Sequence, residues 1–183
     1  MNNKRERLVR AARTLIHRQG FKKTTLAHIA READVPLGNV YYYFKTKDEI
    51  AAEAIKSRKT GLEALARKWE ERNPDPRQRL LAFLSMTGDM RFLIAKYGCP
   101  VGSLCQELDK DRTELSARAN ETLEWLIKWA GMQFRLLDKE DASILGLELI
   151  TSLQGASLVA HAFNDPEVLN RQIQRSRAWL KKI

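Results

Sequence analysis

From end to end of this 183-residue chain, apolar residues recur every three or four positions, and no segment alternates with period two. Recurrence at i, i+4, i+7 and i+8 lays one apolar stripe along a helix, whereas a half-buried strand needs strict alternation. The pattern therefore predicts an all-α protein. Leu8, Ala12, Leu15 and Ile16 share one face of a helix from about Lys4 to Arg18, which Gly20 ends. Thr25 is suited to N-cap a short helix through Ala33, whose Leu26, Ile29, Ala30 and Ala33 fall on one side. Pro36 biases Val35 away from helical angles, so this helix cannot run straight into the next. The result is helix, tight turn, helix. The third helix is expected from Leu37 to Phe44, with Val40 and Phe44 inward, Gly38, Asn39 and Tyr42 roughly opposite, and Tyr41 and Tyr43 on the flanks.

Beyond it, "KDEIAAEAIKSRKTGLEALARKWEER" reads as one long helix with Ile50, Ala54, Ile55, Leu62 and Leu65 toward the interior. "NPDPRQ" breaks the pattern, and Asp75 before Pro76 is an N-cap with proline at the first helical position. A second helical region follows. "RLLAFLSMTGDMRFLIAKYG" is expected to be one helix ended by Gly98, "CPVGSLCQEL" a short turn or helix, and "TELSARANETLEWLIKWAGMQFRLL" another helix. Asp138 is expected to cap the next, and Asp165 with Pro166 to start the last.

The net charge of +9 gains meaning from where it sits. Residues 1–47 hold eleven lysines and arginines against three carboxylates, leaving +8 of the +9 in the first quarter of the chain. Such confinement is the footprint of a polyanion binder; nucleic acid leads and an anionic membrane surface is second. The start "MNNKRERLVRAARTL" lacks the apolar core of a secretion signal, and no apolar run approaches the ~20 residues of a membrane span. A cytoplasmic protein without membrane partners is expected. Cys99 and Cys105 are too few for a disulfide scaffold, and His17, His28 and His161 stand at no ligand spacing, so two thiols and no metal are expected. No nucleophile and base pairing, phosphate-cradling glycine loop or purposeful carboxylate pair is evident, which argues against an enzyme and against a cofactor.

Three helices, the second and third joined by a tight turn in a basic segment, make the helix-turn-helix layout, whose recognition helix faces base edges with its N-terminal residues. The stretch "TTLAHIAREADVPLGNVYYYFKTKDEI" closely resembles the signature of the TetR family of transcriptional repressors, and the resemblance is strong over residues 4–62. It implies a DNA-binding domain over residues 2–62, with the motif at about 25–44, and a helical effector-binding and dimerisation domain over 63–183. Carried over residue by residue, it implies that Thr25 caps its helix and touches a phosphate. Leu37, Gly38 and Asn39 then begin the base-facing helix, Tyr41, Tyr42 and Tyr43 reach phosphates or thymine methyls, and Lys47 binds the backbone. Hydroxyls and lysines position a protein on phosphates, while Asn can pair bidentately with adenine, which makes Asn39 the first choice for direct readout. Asp34 stands where the family usually has glycine, Pro36 where many members have a polar cap, and His28 where an acidic residue often completes a capping box.

The resemblance further implies a repressor that binds a palindromic double-stranded operator as a homodimer joined through its last two helices. A small-molecule effector would release it. Gly146, Gly155, Ala156 and Ala160 suit either a dimer interface or close packing inside one subunit. Phe83, Met86, Met90, Tyr97, Trp125, Trp129 and Phe134 are the soft and aromatic residues expected around an apolar or aromatic effector, and they equally suit a plain core. Cys99 and Cys105 are candidate sensor thiols or small buried fillers. The alternative function is a helical small-molecule-binding or thiol sensor protein with a reduced DNA-reading role.

Overall fold

The computed structural model describes residues 4–109 and 113–183. Among them are ten helices: α1 (Lys4–Gln19), α2 (Leu26–Glu32), α3 (Leu37–Tyr43), α4 (Lys47–Arg72), α5 (Pro76–Asp89), α6 (Arg91–Tyr97), α7 (Gly102–Asp109), α8 (Glu114–Arg135), α9 (Ala142–Phe163) and α10 (Pro166–Leu180). No strand occurs among the described residues, as the periodicity predicts. The chain forms two compact units, one holding the residues up to Leu62 with Ser103–Thr122, the other Glu63–Gly102 with Leu123–Ile183.

In the first unit α1 packs on α2 and α2 on α3. The core closes on Leu8, Ala12, Ile29, Val40, Phe44 and Ile50, all nearly without solvent contact. These are the inward positions of the periodic pattern, and each large aliphatic chain so buried contributes roughly 1.5–3 kcal/mol. Residues outside the periodic N-terminal segment join this unit: Cys105, Leu108, Leu115 and Ala119 of α7 and α8 are also buried.

The second unit is built on α9, which packs against α6 and α10, with α10 also against α5. Asp75 accepts from the amide of Arg77 and Asp165 from that of Glu167, each ahead of a proline, so both expected helix starts are present. Two other expectations need correction. The segment expected as one helix up to Gly98 is two helices, α5 and α6, which part at Met90 (φ −88°, ψ −2°). The hydroxyls of Ser85 and Thr87 bond the carbonyls of Leu81 and Phe83 four residues back, and Gly88 follows at once; this combination bends and weakens a helix. Asp138 does not cap α9. It sits at φ +55° just past α8, where its amide bonds Arg135 O and that of Lys139 bonds Phe134 O, the paired bonds that close a helix C-terminus. Asp141 occupies the cap position of α9, without a side-chain bond.

Gly146 is a packing device inside one subunit. A Cβ there would lie 2.5 Å from Gly131 N and 3.0 Å from Ile127 O, so two glycines bring α8 and α9 into backbone contact. Ala160 is likewise fully buried within the subunit, while Gly155 faces open space. By length and composition α9 is apolar enough to cross a membrane, with mean hydropathy 1.4 over its best window, and 33% of that window is buried. Its outward side carries Ile144, Leu147, Leu158, Val159 and Phe163 exposed.

Candidate nucleic-acid interface

The turn between α2 and α3 is set by Asp34. At φ +50° it takes the left-handed conformation that glycine adopts more readily, and Val35 N bonds Ala30 O while Asp34 N bonds Arg31 O. Arg7 reaches across from α1 to hold it: one guanidinium nitrogen lies 2.6 Å from the carbonyl oxygens of both Ala33 and Asp34 and 3.0 Å from the Asp34 carboxylate. The carboxylate is fully exposed, so the two carbonyl bonds matter more than the ion pair. Nothing in the sequence pattern marks Arg7 for this role, since its partners are formed only when the helices cross.

Thr25 caps α2, its hydroxyl accepting from the amide of His28 at 3.1 Å, as the pattern predicts. His28, in place of a capping-box acid, has Nδ1 3.4 Å from the side-chain Nε2 of Gln19. At α3, Pro36 supplies no side-chain cap. Leu37, Gly38 and Tyr41 are exposed, and Tyr42 is the most exposed of the aromatic run at 79%. Asn39 and Tyr43 are half-buried, Tyr43 meeting Tyr42 edge-on at 5.0 Å. Gly38 has open space where a side chain would stand, so its absence of Cβ leaves room for a close-approaching surface. Phe44 is the buried anchor beneath the Arg5 guanidinium, 5.3 Å above its ring. The aromatic cluster is thus divided between core and surface.

Lys47 is more engaged than its sequence position suggests. Its ammonium donates to Phe21 O at 3.1 Å and Lys22 O at 3.4 Å and lies 4.1 Å from the centre of the Phe21 ring. An ammonium has three N–H donors, so one remains for a phosphate. Lys45 donates to Tyr41 O at 2.8 Å and closes the end of α3. The structure therefore brings Thr25, Leu37, Gly38, Asn39, Tyr41, Tyr42, Tyr43 and Lys47 onto one helix-turn-helix unit with its adjoining helix start.

Residues 8–54 match the family described as bacterial regulatory proteins, tetR family. The chain belongs to the TetR family. TetR-family proteins are DNA-binding transcriptional regulators and not enzymes, and their fold is an N-terminal helix-turn-helix with further helices behind it. Among individual proteins, the transcriptional regulator LmrA of Bacillus subtilis is 31% identical over 130 residues, a match that spans 66% of this chain and 66% of LmrA. An uncharacterized regulator from the lacX 3' region of Lactococcus lactis is 25% identical over 189 residues, covering 100% of this chain and 96% of its own length. A TetR transcriptional regulator from Legionella pneumophila superposes with TM-score 0.87 over 100% of this chain and 97% of its own, at 16% identity, a likeness of fold alone.

Three of the seven residues expected around an effector pack in aromatic clusters. Phe83 and Trp129 form a cluster with Trp69, ring centres 5.6 to 6.3 Å apart, and Trp129 donates its indole N–H to Glu70 at 3.2 Å. Phe134 packs on Trp179 at 5.5 Å. Met86, Met90, Tyr97 and Trp125 are half-buried. Trp69 and Trp179, which the spacing of the α8 aromatics does not reveal, complete these clusters from α4 and α10. Cys99 is half-buried, its sulfur accepting from Gly102 N at 3.5 Å and Gln154 Nε2 at 3.4 Å, whereas Cys105 is buried in the other unit. Among the described residues no group of three or more His, Cys, Asp or Glu could hold a metal ion.

Proposed function

We propose that this protein is a homodimeric repressor that binds a palindromic operator and is released by an apolar or aromatic small molecule. The observation that carries the reading is the outward face of α3: Leu37, Gly38, Tyr41 and Tyr42 lie exposed on a basic unit whose core is otherwise closed, beside Thr25 and Lys47. Exposed aromatics on a helix are unfavourable in water unless something covers them, and a major groove admits a helix of this kind. Asn39 reads bases; Thr25, the three tyrosines and Lys47 position the helix on phosphates or thymine methyls. Leu37 and Gly38 offer few polar groups, so DNA shape supplies part of the specificity.

Dimerisation is proposed through α9 and α10. On α9, the exposed Ile144, Leu147, Thr151, Gly155 and Leu158 recur at steps of three and four and so share one side of the helix. A stripe of this kind on a helix too apolar for solvent matches a second copy of itself around a two-fold axis. With one recognition helix per subunit, half-sites stand about one helical turn, ~34–36 Å, or a multiple apart. The effector site belongs to the second unit, where Phe83, Met86, Met90, Tyr97, Trp125, Trp129 and Phe134 supply soft and aromatic contacts once the Trp69 cluster opens. A cytoplasmic location follows from the DNA partner.

The test is selection of duplexes from a random pool by the purified protein. Enrichment of a palindrome, bound by two subunits in sedimentation, is the expected result; recovery of no preferred sequence overturns it.

A further inference from the structure

The turn joining α1 to α2 is held from two sides by opposite charges. Glu107, on α7, accepts from the amide of Phe21 at 2.8 Å through Oε2 and from that of Lys22 at 2.9 Å through Oε1. The carbonyls of the same two residues accept from the ammonium of Lys47. The peptide group between Phe21 and Lys22 is thus polarised from both ends, its N–H on the carboxylate and its C=O on the ammonium, and charge-assisted bonds are the short and strong class. Gly20 makes room for this: its φ is +84°, and a Cβ there would stand 3.0 Å from each Glu107 oxygen. Thr24, fully buried, ties the turn back by donating to Gly20 O at 2.7 Å. Thr25 follows immediately as the cap of α2.

We propose that Glu107 is a positioning residue for DNA binding: it fixes the α1–α2 turn, and thereby Thr25 and the Lys47 ammonium, in the arrangement that meets phosphate. The inference rests on the DNA-binding reading above. Two backbone amides outside any helix need acceptors, and without Glu107 they turn to water while Lys47 loses the polarised carbonyls that orient it. Thr25 and Lys47 come from different helices and share this turn as their common support. Displacement of Glu107 therefore acts on DNA affinity without touching DNA.

The experiment compares the wild-type chain with Glu107→Ala and Glu107→Gln. Affinity is measured for a fluorescein-labelled mixed-sequence duplex of about 30 base pairs, long enough for two half-sites, well below each variant's melting temperature. Amide exchange is followed in parallel at Phe21 and Lys22. Hydrogen bonds to charged groups are worth more than neutral ones, so Glu107→Ala is expected to speed exchange at both amides and weaken duplex binding, each by about tenfold or more. Glu107→Gln keeps one acceptor oxygen and is expected to recover part of both effects. Equal affinity of wild type and Glu107→Ala, both fully folded, overturns the positioning role and leaves DNA binding standing. So does affinity loss in Glu107→Ala with exchange at the two amides unchanged. No salt-sensitive duplex binding by the wild type overturns the DNA reading, and the positioning role with it.

Discussion

Replacing Gly146 with alanine sets two opposed effects against each other inside the second unit. Alanine in a helix interior is favoured over glycine by about 0.5–1 kcal/mol, because glycine loses more backbone freedom on folding. Against this, the new methyl would stand 2.5 Å from Gly131 N and 2.7 Å from Gly131 Cα, where ordinary contact begins at 3.4 Å. The α8 and α9 backbones must part by about 0.9 Å there, since both atoms are main chain and no rotamer change can relieve them. A gap of 0.5–1 Å forfeits about a quarter to a half of each dispersion well it opens, and overpacking of this sort costs about 1–3 kcal/mol. The clash lies at the severe end, so the net loss is about 2 kcal/mol, or roughly 4–8 °C in melting temperature for a chain of this size. Gly61→Ala, inside α4, is the control: its methyl meets nothing within 4 Å, and it should gain stability or leave it unchanged. Thermal unfolding followed by circular dichroism at one fixed protein concentration checks the pair. If Gly146→Ala stabilises as Gly61→Ala does, the backbone contact between α8 and α9 is not there.

Asn39→Ala should lower affinity for the selected operator by about 1–3 kcal/mol and relax preference at one base position, whereas Lys47→Ala should weaken all duplexes alike; equal losses on specific and random DNA by both variants would remove Asn39 from base readout. Duplex affinity should fall by several decades between low and moderate salt if about 6–10 phosphates are contacted, read as the slope of log K against log salt; a flat line would point away from DNA. Leu158→Glu places a charge in the exposed apolar stripe of α9 and should give a monomer in sedimentation with folding intact; an unchanged dimer would move the interface off this face. Asp34→Gly relieves a left-handed backbone but drops an ion pair on a fully exposed carboxylate, so stability should change by no more than about 0.5 kcal/mol in denaturant unfolding; a large loss would mean the pair matters more than its exposure implies.

Local chemistry written in the sequence was enough for the helical class, the starts of α2, α5 and α10, the turn at Asp34 and the separation of Phe44 from Tyr42. Each of these depends on residues within one or two turns of one another: a cap and its amide, a proline ring, a stripe at 3.6 spacing. The split of α5 from α6 was also local, but it turned on hydroxyls of Ser85 and Thr87 competing for carbonyls, which periodicity does not register. What only the tertiary structure decided is how distant residues meet. Arg7 finds the carbonyls of Ala33 and Asp34, Trp69 packs on both Phe83 and Trp129, and Glu107 finds the amides of Phe21 and Lys22. Such partners are chosen by where helices cross, and a glutamate on a short helix has the same sequence signature whether it faces water or holds a turn. Gly146 shows the same limit from the other side, for a small residue on α9 fits a partner subunit and a neighbouring helix equally until Gly131 is seen beside it.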